Sequence, residues 1–203
     1  MAGARAAQRD ATRQALVEKA SALFADRGYE AVALSEVVHA AGVTKGALYH
    51  HFTGKRELFI AVLADTQLRV GAAVQDAAQR HEDAWTGLVA GCHAFLDACT
   101  ASDVRQVLLV DGPAVVDWDT WRALDEQGAA HQLREALAGL MGHGVLPAQP
   151  GEPVTRALSG AMNELALWLH DASPAHSGQA HDVLDALLEV LRRSEVGSPT
   201  SEE

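Results

Sequence analysis

The sequence predicts an all-α protein of 203 residues with about nine helices in two domains. Apolar residues recur three and four positions apart along most of the chain, which is the spacing of one helix face. Glycine and proline interrupt this spacing most densely in one loop, over residues 142–153. No segment offers the partner that a β-strand would need. We therefore expect an N-terminal three-helix domain over residues 1–56, a C-terminal helical domain over residues 57–196 and a disordered polar tail over residues 197–203.

The first helix is predicted over about residues 9–27. Leu16, Ala20 and Phe24 recur on one of its faces, so that face is expected to pack inward. Gly28 ends the helix, because glycine leaves the right-handed helical conformation at little cost.

Two short helices joined by a tight turn come next. The helix over residues 34–41 is expected to begin with Ser35 as its cap and to end at Gly42, since glycine adopts the left-handed conformation of a C-terminal cap. Thr44 is expected to cap the helix over residues 45–51. Such a pair of helices is a helix-turn-helix.

The second of these short helices keeps few apolar residues for packing. Leu48 and Phe52 can pack inward, whereas the other side carries a lysine, a tyrosine and two histidines. A short helix of this composition is suited to touching another molecule, and in a helix-turn-helix that molecule is DNA, contacted in its major groove. The alternative is that the tyrosine or one of the histidines packs within the domain.

The run VTKGALYHHFTGKRELF, residues 43–59, resembles the recognition helix and the following helix of TetR-type transcriptional repressors. The wider segment of residues 11–63 is similar to the same family, including LFADRGY at residues 23–29. The resemblance implies binding to operator DNA, a homodimer, a small-molecule cavity among the middle helices, and a phosphate contact for Lys55. The residues expected to contact double-stranded operator DNA are Ser35, Thr44, Lys45, Gly46, Tyr49, His50, His51 and Lys55.

Charge is distributed unevenly along the chain. The formal net charge is −11. Residues 1–56 nevertheless carry eight lysines and arginines against five acidic residues, whereas residues 57–203 carry eight against 22. The basic end can therefore face DNA phosphates while the acidic remainder is held away from them.

Six helices are predicted after the helix-turn-helix, and the first of them is expected to link the two domains. Residues 104–110 are rich in valine and could form a strand, but Asp111, Gly112 and Pro113 close the segment and no partner strand exists. We therefore expect a helix there, followed by a turn over residues 113–116. The six helices are predicted over about residues 55–80, 84–100, 104–110, 119–141, 153–171 and 176–193.

The last two helices are apolar over more than one stripe. A helix that faces only its own core needs about 100° of apolar surface, so a wider stripe indicates a second burial partner, such as the same helices of a second subunit. A thick core within one subunit would give the same pattern. A dimer would present two recognition helices to half-sites about one DNA turn apart, ~34–36 Å. The residues expected at the dimer interface are Leu158, Met162, Leu165, Trp168, Leu184, Leu187, Leu188 and Leu191.

The cavity implied by the resemblance has candidate lining residues on the middle helices. They combine apolar and aromatic side chains with a few polar groups, which is the usual composition of a ligand pocket. This composition favours a planar or hydrophobic ligand, and the alternative is that these side chains are plain core. The candidates are Leu88, Cys92, His93, Phe95, Leu96, Asp111, Trp118, Trp121, Leu124, His131, Met162 and Asn163, so Met162 is a candidate for both the cavity and the interface.

No cofactor and no metal site are expected. His170, Asp171, His176 and His181 crowd the last loop, but their spacing is not that of metal ligands, and a solvated loop is favoured. The sequence contains no Gly-rich phosphate loop and no catalytic serine pattern, so an enzyme is not expected.

The two cysteines, Cys92 and Cys99, lie seven residues apart on one helix. Their Cα atoms would be about 10 Å apart, too far for a disulfide, so both are predicted to be buried thiols. No apolar run reaches the ~20 residues of a membrane span, and the N-terminal residues lack the apolar core of a signal peptide. A cytoplasmic protein is therefore expected.

Together these features predict a DNA-binding transcriptional regulator, most simply a repressor released from a two-fold-symmetric operator by a small hydrophobic effector. One alternative is a regulator of the same fold that activates transcription or responds to no ligand. The other is a helical interaction module that does not bind DNA.

Overall fold

A computed structural model describes residues 2–169 and 174–193 of the chain. Within these residues it contains helices and connecting turns but no strand, which confirms the all-α prediction. No helix in this part of the chain is long and apolar enough to cross a membrane. The elements are α1 (Ala2–Ala31), α2 (Leu34–Ala40), α3 (Lys45–His51), α4 (Lys55–Ala78), α5 (Ala84–Thr100), α6 (Ser102–Arg105), a π-helix (Gln106–Asp111), α7 (Gly112–Val115), α8 (Trp118–Asp125), α9 (Ala129–Gly142), α10 (Gly151–Trp168) and α11 (Pro174–Arg193).

The chain forms two compact units. The first unit contains Met1–Leu68 and Ala101–Leu124, and the second contains Arg69–Thr100 and Asp125–Glu203. The first unit therefore holds the helix-turn-helix together with a segment from the middle of the chain. Helix α4 contributes its N-terminal part to the first unit and its C-terminal part to the second.

The core of the first unit is built from the apolar faces that the sequence predicts. Leu16 and Phe24 of α1, Val37 of α2, Leu48 of α3 and Phe59 of α4 are all completely buried. The rings of Phe24 and Phe59 meet edge to face, with their centroids 5.5 Å apart. This core fixes α2 and α3 against α1 and α4, so the opposite side of α3 is left for solvent or a partner.

Gly28 interrupts α1 as the sequence predicts. Its backbone (φ 75°, ψ 161°) lies outside the helical region, and a short turn continues to Ala31. The N–H of the next residue, Tyr29, donates to Asp111 Oδ2 at 2.7 Å. A Cβ at position 28 would lie 3.4 Å from Nε2 of Gln106. Glycine thus lets α1 turn directly beneath the π-helix.

The predicted turn over residues 113–116 is wrong. The helix continues from the π-helix Gln106–Asp111 into α7, which runs to Val115. In the π turn the N–H of Gly112 bonds to the carbonyl of Val107, five residues earlier. The next residue, Pro113, lies in the first turn of α7, where a proline is tolerated.

The single helix predicted over residues 119–141 is also wrong. Helix α8 ends at Asp125 and α9 begins at Ala129, because the backbone leaves the helical region at Gly128 (φ −118°, ψ −129°). A lone glycine within an apolar helical pattern is often tolerated, so the periodicity alone does not show this break.

The second unit packs α5, α9, α10 and α11 around an apolar core. Leu96, Leu137, Leu158, Leu184 and Leu188 are buried in it. The core is thus formed by one stripe from each helix, and other apolar residues of α10 and α11 remain outside it.

Cys92 and Cys99 are buried and form no disulfide, as predicted. Burial raises the pKa of each thiol to about 12, because the thiolate would lose its hydration. Both cysteines therefore behave as small apolar core residues.

The predicted tail over residues 197–203 lies outside the described residues, as do His170, Asp171 and the side chain of His176. His181 is described, and its Nε2 lies 3.2 Å from Oδ1 of Asp97. Among the described residues, no group of three or more His, Cys, Asp or Glu side chains could hold a metal ion.

Candidate functional site

Helix α2 is anchored by Glu36 rather than by a serine cap. Ala33 occupies the cap position, so the prediction that Ser35 caps this helix is wrong. The carboxylate of Glu36 accepts the backbone N–H of Ala33 at 2.8 Å and two hydrogen bonds from the Arg27 guanidinium, at 2.7 and 3.0 Å. The hydrogen bond from Arg27 is the main cause that lowers the pKa of Glu36 to about 2. Ser35 itself is exposed in the first turn of α2.

The turn between α2 and α3 has the geometry that the sequence predicts. Gly42 has a positive φ of 64°. Thr44 caps α3, since its Oγ1 accepts the N–H of Ala47 at 3.1 Å. Leu48 and Phe52 are buried behind the helix. The glycine turn, the threonine cap and the two buried apolar side chains therefore fix the orientation of α3.

The outward side of α3 carries most of the residues predicted to contact DNA. Thr44, Lys45, Gly46, Tyr49 and His50 are all exposed, and Tyr49 retains 49% of its accessible surface. The Lys45 ammonium lies 5.9 Å from the centre of the Tyr49 ring. These side chains form one continuous polar and aromatic face, which we call the α3 face.

His51 is placed differently from His50. It is half-buried, and its ring lies 5.3 Å from that of His50. Burial, followed by the nearby charges of His50, Arg9 and Arg13, lowers the pKa of His51. His51 is therefore neutral at neutral pH and can donate one ring N–H, which weakens its expected role as a phosphate contact.

Two arginines of α1 that act on the charge of His51 are missing from the sequence-based site. The guanidinium carbon of Arg13 lies 5.5 Å from the centre of the Phe52 ring, and Arg9 lies one helical turn earlier on α1. Both are exposed. Their four-residue spacing in the sequence predicts that both lie on one face of α1, because residues four apart are neighbours on a helix surface.

Lys55 begins α4, as predicted. Its ammonium donates to the carbonyl of Glu30 at 3.2 Å and lies 4.2 Å from the centre of the Tyr29 ring. The Tyr29 ring in turn meets that of Phe59, with centroids 5.0 Å apart. Lys55 is thus held in place by the end of α1, and it remains partly exposed.

The second unit contains a cavity of about 580 Å³. Apolar side chains form most of its wall, and glutamines, histidines and two carboxylates provide the polar part. Five of the predicted pocket residues line it: Leu88, Cys92, Phe95, His131 and Met162.

Three other predicted pocket residues belong to the second unit without lining the cavity. His93 is bonded to Asp185 of α11, with Nε2 and Oδ1 2.6 Å apart. Leu96 is completely buried in the core, and Asn163 is half-buried on α10.

The remaining four predicted pocket residues, Asp111, Trp118, Trp121 and Leu124, lie in the first unit, so they do not line this cavity. Asp111 accepts the N–H of Tyr29, and the indole N–H of Trp121 donates to the carbonyl of Leu108 at 3.2 Å. Trp118 is exposed and stacks on Trp121. The polar groups of Asp111 and Trp121 are thus used within the first unit, a placement that the sequence does not reveal.

Two glycines on α5 create space that the sequence-based site did not include. Gly87 and Gly91 both line the cavity. A Cβ at Gly87 would lie 3.1 Å from the carbonyl oxygen of Ala78, and one at Gly91 would lie 3.3 Å from Val74 Cγ1. The glycines therefore let α5 approach the C-terminal part of α4. The four-residue spacing of the two glycines was a signal for such an approach.

The predicted interface residues divide into two groups. Leu158, Met162, Leu184 and Leu188 are buried in the second unit, so their side chains are already part of its own core. Leu165, Trp168, Leu187 and Leu191 keep part of their surface exposed.

The exposed group continues along α11 with two residues that the sequence-based set lacked. Val183 and Val190 are exposed, and Leu187 lies between them on the same helix face. We call Leu165, Trp168, Val183, Leu187 and Val190 the outer stripe. Its spacing explains why α10 and α11 are apolar over more than one stripe.

Two family models match the chain. Residues 85–191 match the family described as "Tetracyclin repressor-like, C-terminal domain", and residues 16–62 match the family described as "Bacterial regulatory proteins, tetR family". The first match alone covers more than half of the chain.

Individual proteins agree with these models. The chain is 24% identical over 156 residues to the transposon Tn10 TetC protein of Escherichia coli, which is 77% of this chain and 79% of that protein. It is 39% identical over 89 residues to the HTH-type transcriptional activator FasR of Mycolicibacterium smegmatis, which is 44% of this chain but only 41% of FasR. A crystal structure of a TetR-family transcriptional regulator from Pectobacterium atrosepticum has a TM-score of 0.77 and 25% identity, over 93% of this chain and 97% of that one.

Proposed function

Because the chain belongs to the TetR family of bacterial transcriptional regulators, we propose that it represses transcription by binding a two-fold-symmetric operator as a homodimer. A small hydrophobic effector that enters the cavity of the second unit releases the dimer from the operator. The observation that carries the proposal is the α3 face, since a short helix that buries its apolar residues and exposes Lys45 and Tyr49 is suited to the major groove. A regulator of this kind acts in the cytoplasm, where the operator DNA is.

On the α3 face, each side chain has a contact suited to its chemistry. Tyr49 can pack on a thymine methyl group or donate to a phosphate, and Lys45 can reach a base edge or a phosphate. Gly46 permits close approach of the helix to DNA. The hydroxyl of Thr44 and the ring of His50 can donate to phosphate oxygens, as can the hydroxyl of Ser35, which lies on α2 outside the α3 face.

Phosphate contacts extend beyond the α3 face. Lys55 would make one of them, and its contacts with the carbonyl of Glu30 and the ring of Tyr29, which hold the ammonium at the start of α4, support this role. Arg9 and Arg13 add two further cations beside His51. Through these residues, the excess positive charge of the N-terminal segment would face the phosphates of the DNA backbone.

The homodimer is formed through the outer stripe. Val183, Leu187 and Val190 of α11, with Trp168 and Leu165 of α10, offer an apolar surface that a second copy would cover. The four buried residues of the predicted interface support this surface from inside.

Release by an effector is a shift between two populations of the dimer. A ligand shifts this equilibrium only through its different affinity for the DNA-binding and the released states. Helix α4 is suited to couple effector binding to release from DNA, because it begins at Lys55 and its residues Val74 and Ala78 line the cavity.

The first experiment is a mobility shift of the purified protein with DNA upstream of its own gene, at two salt concentrations. We expect saturable binding to one short palindromic site, weakened at the higher salt concentration. Binding that neither saturates nor depends on sequence would contradict the proposal.

Substitutions at the α3 face distinguish a DNA-binding protein from a helical interaction module. Tyr49→Ala should weaken operator binding about five- to 150-fold, in line with the ~1–3 kcal/mol of a base contact, Lys55→Ala should weaken it uniformly across sequences, and both should leave the dimer folded. Lys55→Ala should also reduce the slope of log affinity against log salt concentration by about one, because one phosphate contact is lost. Unchanged affinity in both variants would favour the interaction module.

Activation of transcription is the second candidate, and the similarity to the activator FasR favours it. The two signs of regulation are separated by transcription in vitro from the promoter that carries the operator. Repression predicts less transcript when the protein is added, and more when an effector follows. Activation predicts an increase on addition of the protein.

A further inference from the structure

We propose that the cavity of the second unit selects hydrophobic amines, which are molecules with an apolar body and one protonated nitrogen. The inference rests on the function proposed above, in which this cavity receives the effector. It goes further by assigning the charge that the effector carries.

The apolar body of the ligand is matched by the inner wall. Leu88, Cys92, Phe95, Leu133 and Met162 line the cavity, and each is buried. A volume of about 580 Å³ is within the usual range of small-molecule sites. Transfer of an apolar group from water into such a cavity contributes to binding affinity, but it does not select the charge of the ligand.

The charge is specified by the polar part of the wall. The lining contains two carboxylates, Asp83 and Glu135, and neither a lysine nor an arginine. Asp83 accepts the N–H and the hydroxyl of Thr86 at 2.8 and 2.6 Å, and these bonds lower its pKa, so it stays ionised. Asp83 is thus held at the start of α5, whereas Glu135 on α9 is exposed and available to a ligand.

Two further polar residues of the wall, Gln132 and His131, do not neutralise the negative charge of the carboxylates. The buried Oε1 of Gln132 has no hydrogen-bond partner among the described residues, and it carries no charge. His131 Nδ1 lies 2.8 Å from the Arg134 guanidinium, which can only donate, so Nδ1 is the acceptor of that hydrogen bond and Nε2 is the remaining donor of the ring. What the wall offers an entering ligand is therefore the negative charge of its two carboxylates, with no lysine or arginine beside them.

Two arginines that contact residues of the wall or its surroundings are already engaged. Arg134 is paired with Glu126, and the guanidinium of Arg192 lies 4.9 Å from the centre of the Trp85 ring and close enough to Asp83 to lower its pKa. An anionic ligand would therefore meet negative charge with no lysine or arginine in the wall to bind it. A protonated amine would find a carboxylate at the mouth and an apolar wall behind it.

The test uses three probes that share one body and differ in charge: phenylhexylamine, phenylhexanol and phenylhexanoate. Their affinities for the full-length protein are measured by calorimetry at neutral pH. We expect the amine to bind about tenfold more tightly than the alcohol, as one charge-assisted hydrogen bond would provide, and the carboxylate to bind most weakly. Equal affinities for the amine and the alcohol, or tighter binding of the carboxylate, would overturn the proposal.

A matched pair of substitutions locates the selecting charge. Glu135→Gln should weaken amine binding about tenfold and leave alcohol binding unchanged. Glu164→Gln removes the same charge from α10 of the second unit, outside the cavity lining, and should change neither affinity. An amine preference that survives Glu135→Gln, or is lost in Glu164→Gln, would contradict the assignment to Glu135.

Operator release distinguishes failure of this inference from failure of the proposed function. If the amine binds as expected but does not release operator DNA, the ligand class stands and the effector mechanism fails. If the alcohol or the carboxylate releases DNA and the amine does not, the effector mechanism stands and the ligand class is wrong.

Discussion

At the scale of single residues, Thr44 fixes the start of the recognition helix. Its Oγ1 satisfies the N–H of Ala47, which would otherwise lack a partner at the helix N-terminus. Thr44→Ala should lower the free energy of unfolding by about 1 kcal/mol, and Thr44→Ser should restore most of it, because serine caps equally well. Urea unfolding of the three proteins measures both effects. Equal stability of the alanine variant and the parent would show that the cap contributes nothing.

The pair of Arg27 and Glu36 should make stability depend on pH at acid values. The folded-state pKa of Glu36 is about 2, against a usual value of 4.5, so the pair stabilises the fold fully above about pH 4.5. This contribution is lost as the pH falls from 4.5 towards 2. Glu36→Gln should therefore be less stable than the parent at neutral pH, and the difference should shrink over that window.

Thermal unfolding between pH 6 and pH 3 measures this difference for Glu36→Gln, for Arg27→Gln and for the double variant. Because Arg27 is the main cause of the lowered pKa, the double variant should lose little more than either single variant. A difference between Glu36→Gln and the parent that stays constant with pH would contradict the assignment.

At the scale of helices, the approach of α5 to α4 depends on glycine. Gly87→Ala would bring a methyl group to 3.1 Å from the carbonyl oxygen of Ala78, and that backbone atom cannot rotate away. Overpacking of this kind costs about 1–3 kcal/mol, which equals or exceeds the ~1 kcal/mol gained from replacing glycine by alanine in a helix, and a helix backbone atom cannot yield as a side chain does. We expect a net loss of stability and weaker ligand binding, because Gly87 lines the cavity.

Gly160→Ala is the matched control for this substitution. Gly160 lies on α10, where an added Cβ would meet nothing within 4 Å. Its replacement should therefore raise the free energy of unfolding by up to about 1 kcal/mol. If both variants were stabilised, the close approach of α5 and α4 would not be a constraint on the fold.

The helices also show which features the sequence can predict. The bounds of α2 and α3 follow from local chemistry, since Gly42 and Thr44 act within four residues of their own positions. The π-helix and the continuation through Pro113 have no such local signal. Asp111, at the end of that segment, bonds to Tyr29, 82 residues away, and only the folded chain brings the two together.

The same reason accounts for the cavity residues. Apolar periodicity places Leu88, Cys92 and Phe95 on one face of α5, so their common position was predictable. Trp118 and Trp121 have an equally suitable composition but lie in the other unit. Composition selects residues able to line a cavity, whereas the assignment of a segment to a unit depends on long-range packing.

At the scale of the whole molecule, the outer stripe should determine whether the protein is a dimer. Leu187 is central to the α11 part of this stripe and retains 38% of its surface, so a charge there need not disturb the core. In a dimer, however, that charge would be buried without a partner, which costs several kcal/mol on each side of a two-fold interface. Leu187→Glu should therefore give a folded monomer in sedimentation equilibrium at micromolar concentration.

Val145→Glu is the control for this last prediction, because Val145 has a similar exposed fraction, 37%, and lies in the loop after α9 rather than on the outer stripe. It should remain dimeric. The monomeric Leu187→Glu protein keeps an intact α3 face, so it should still bind one half-site weakly but lose high-affinity binding to the palindrome. A dimer that persists in Leu187→Glu, or one that is lost in Val145→Glu, would place the interface on another surface. Retention of full operator affinity by a monomer would instead remove the need for two recognition helices, on which the proposed repression depends.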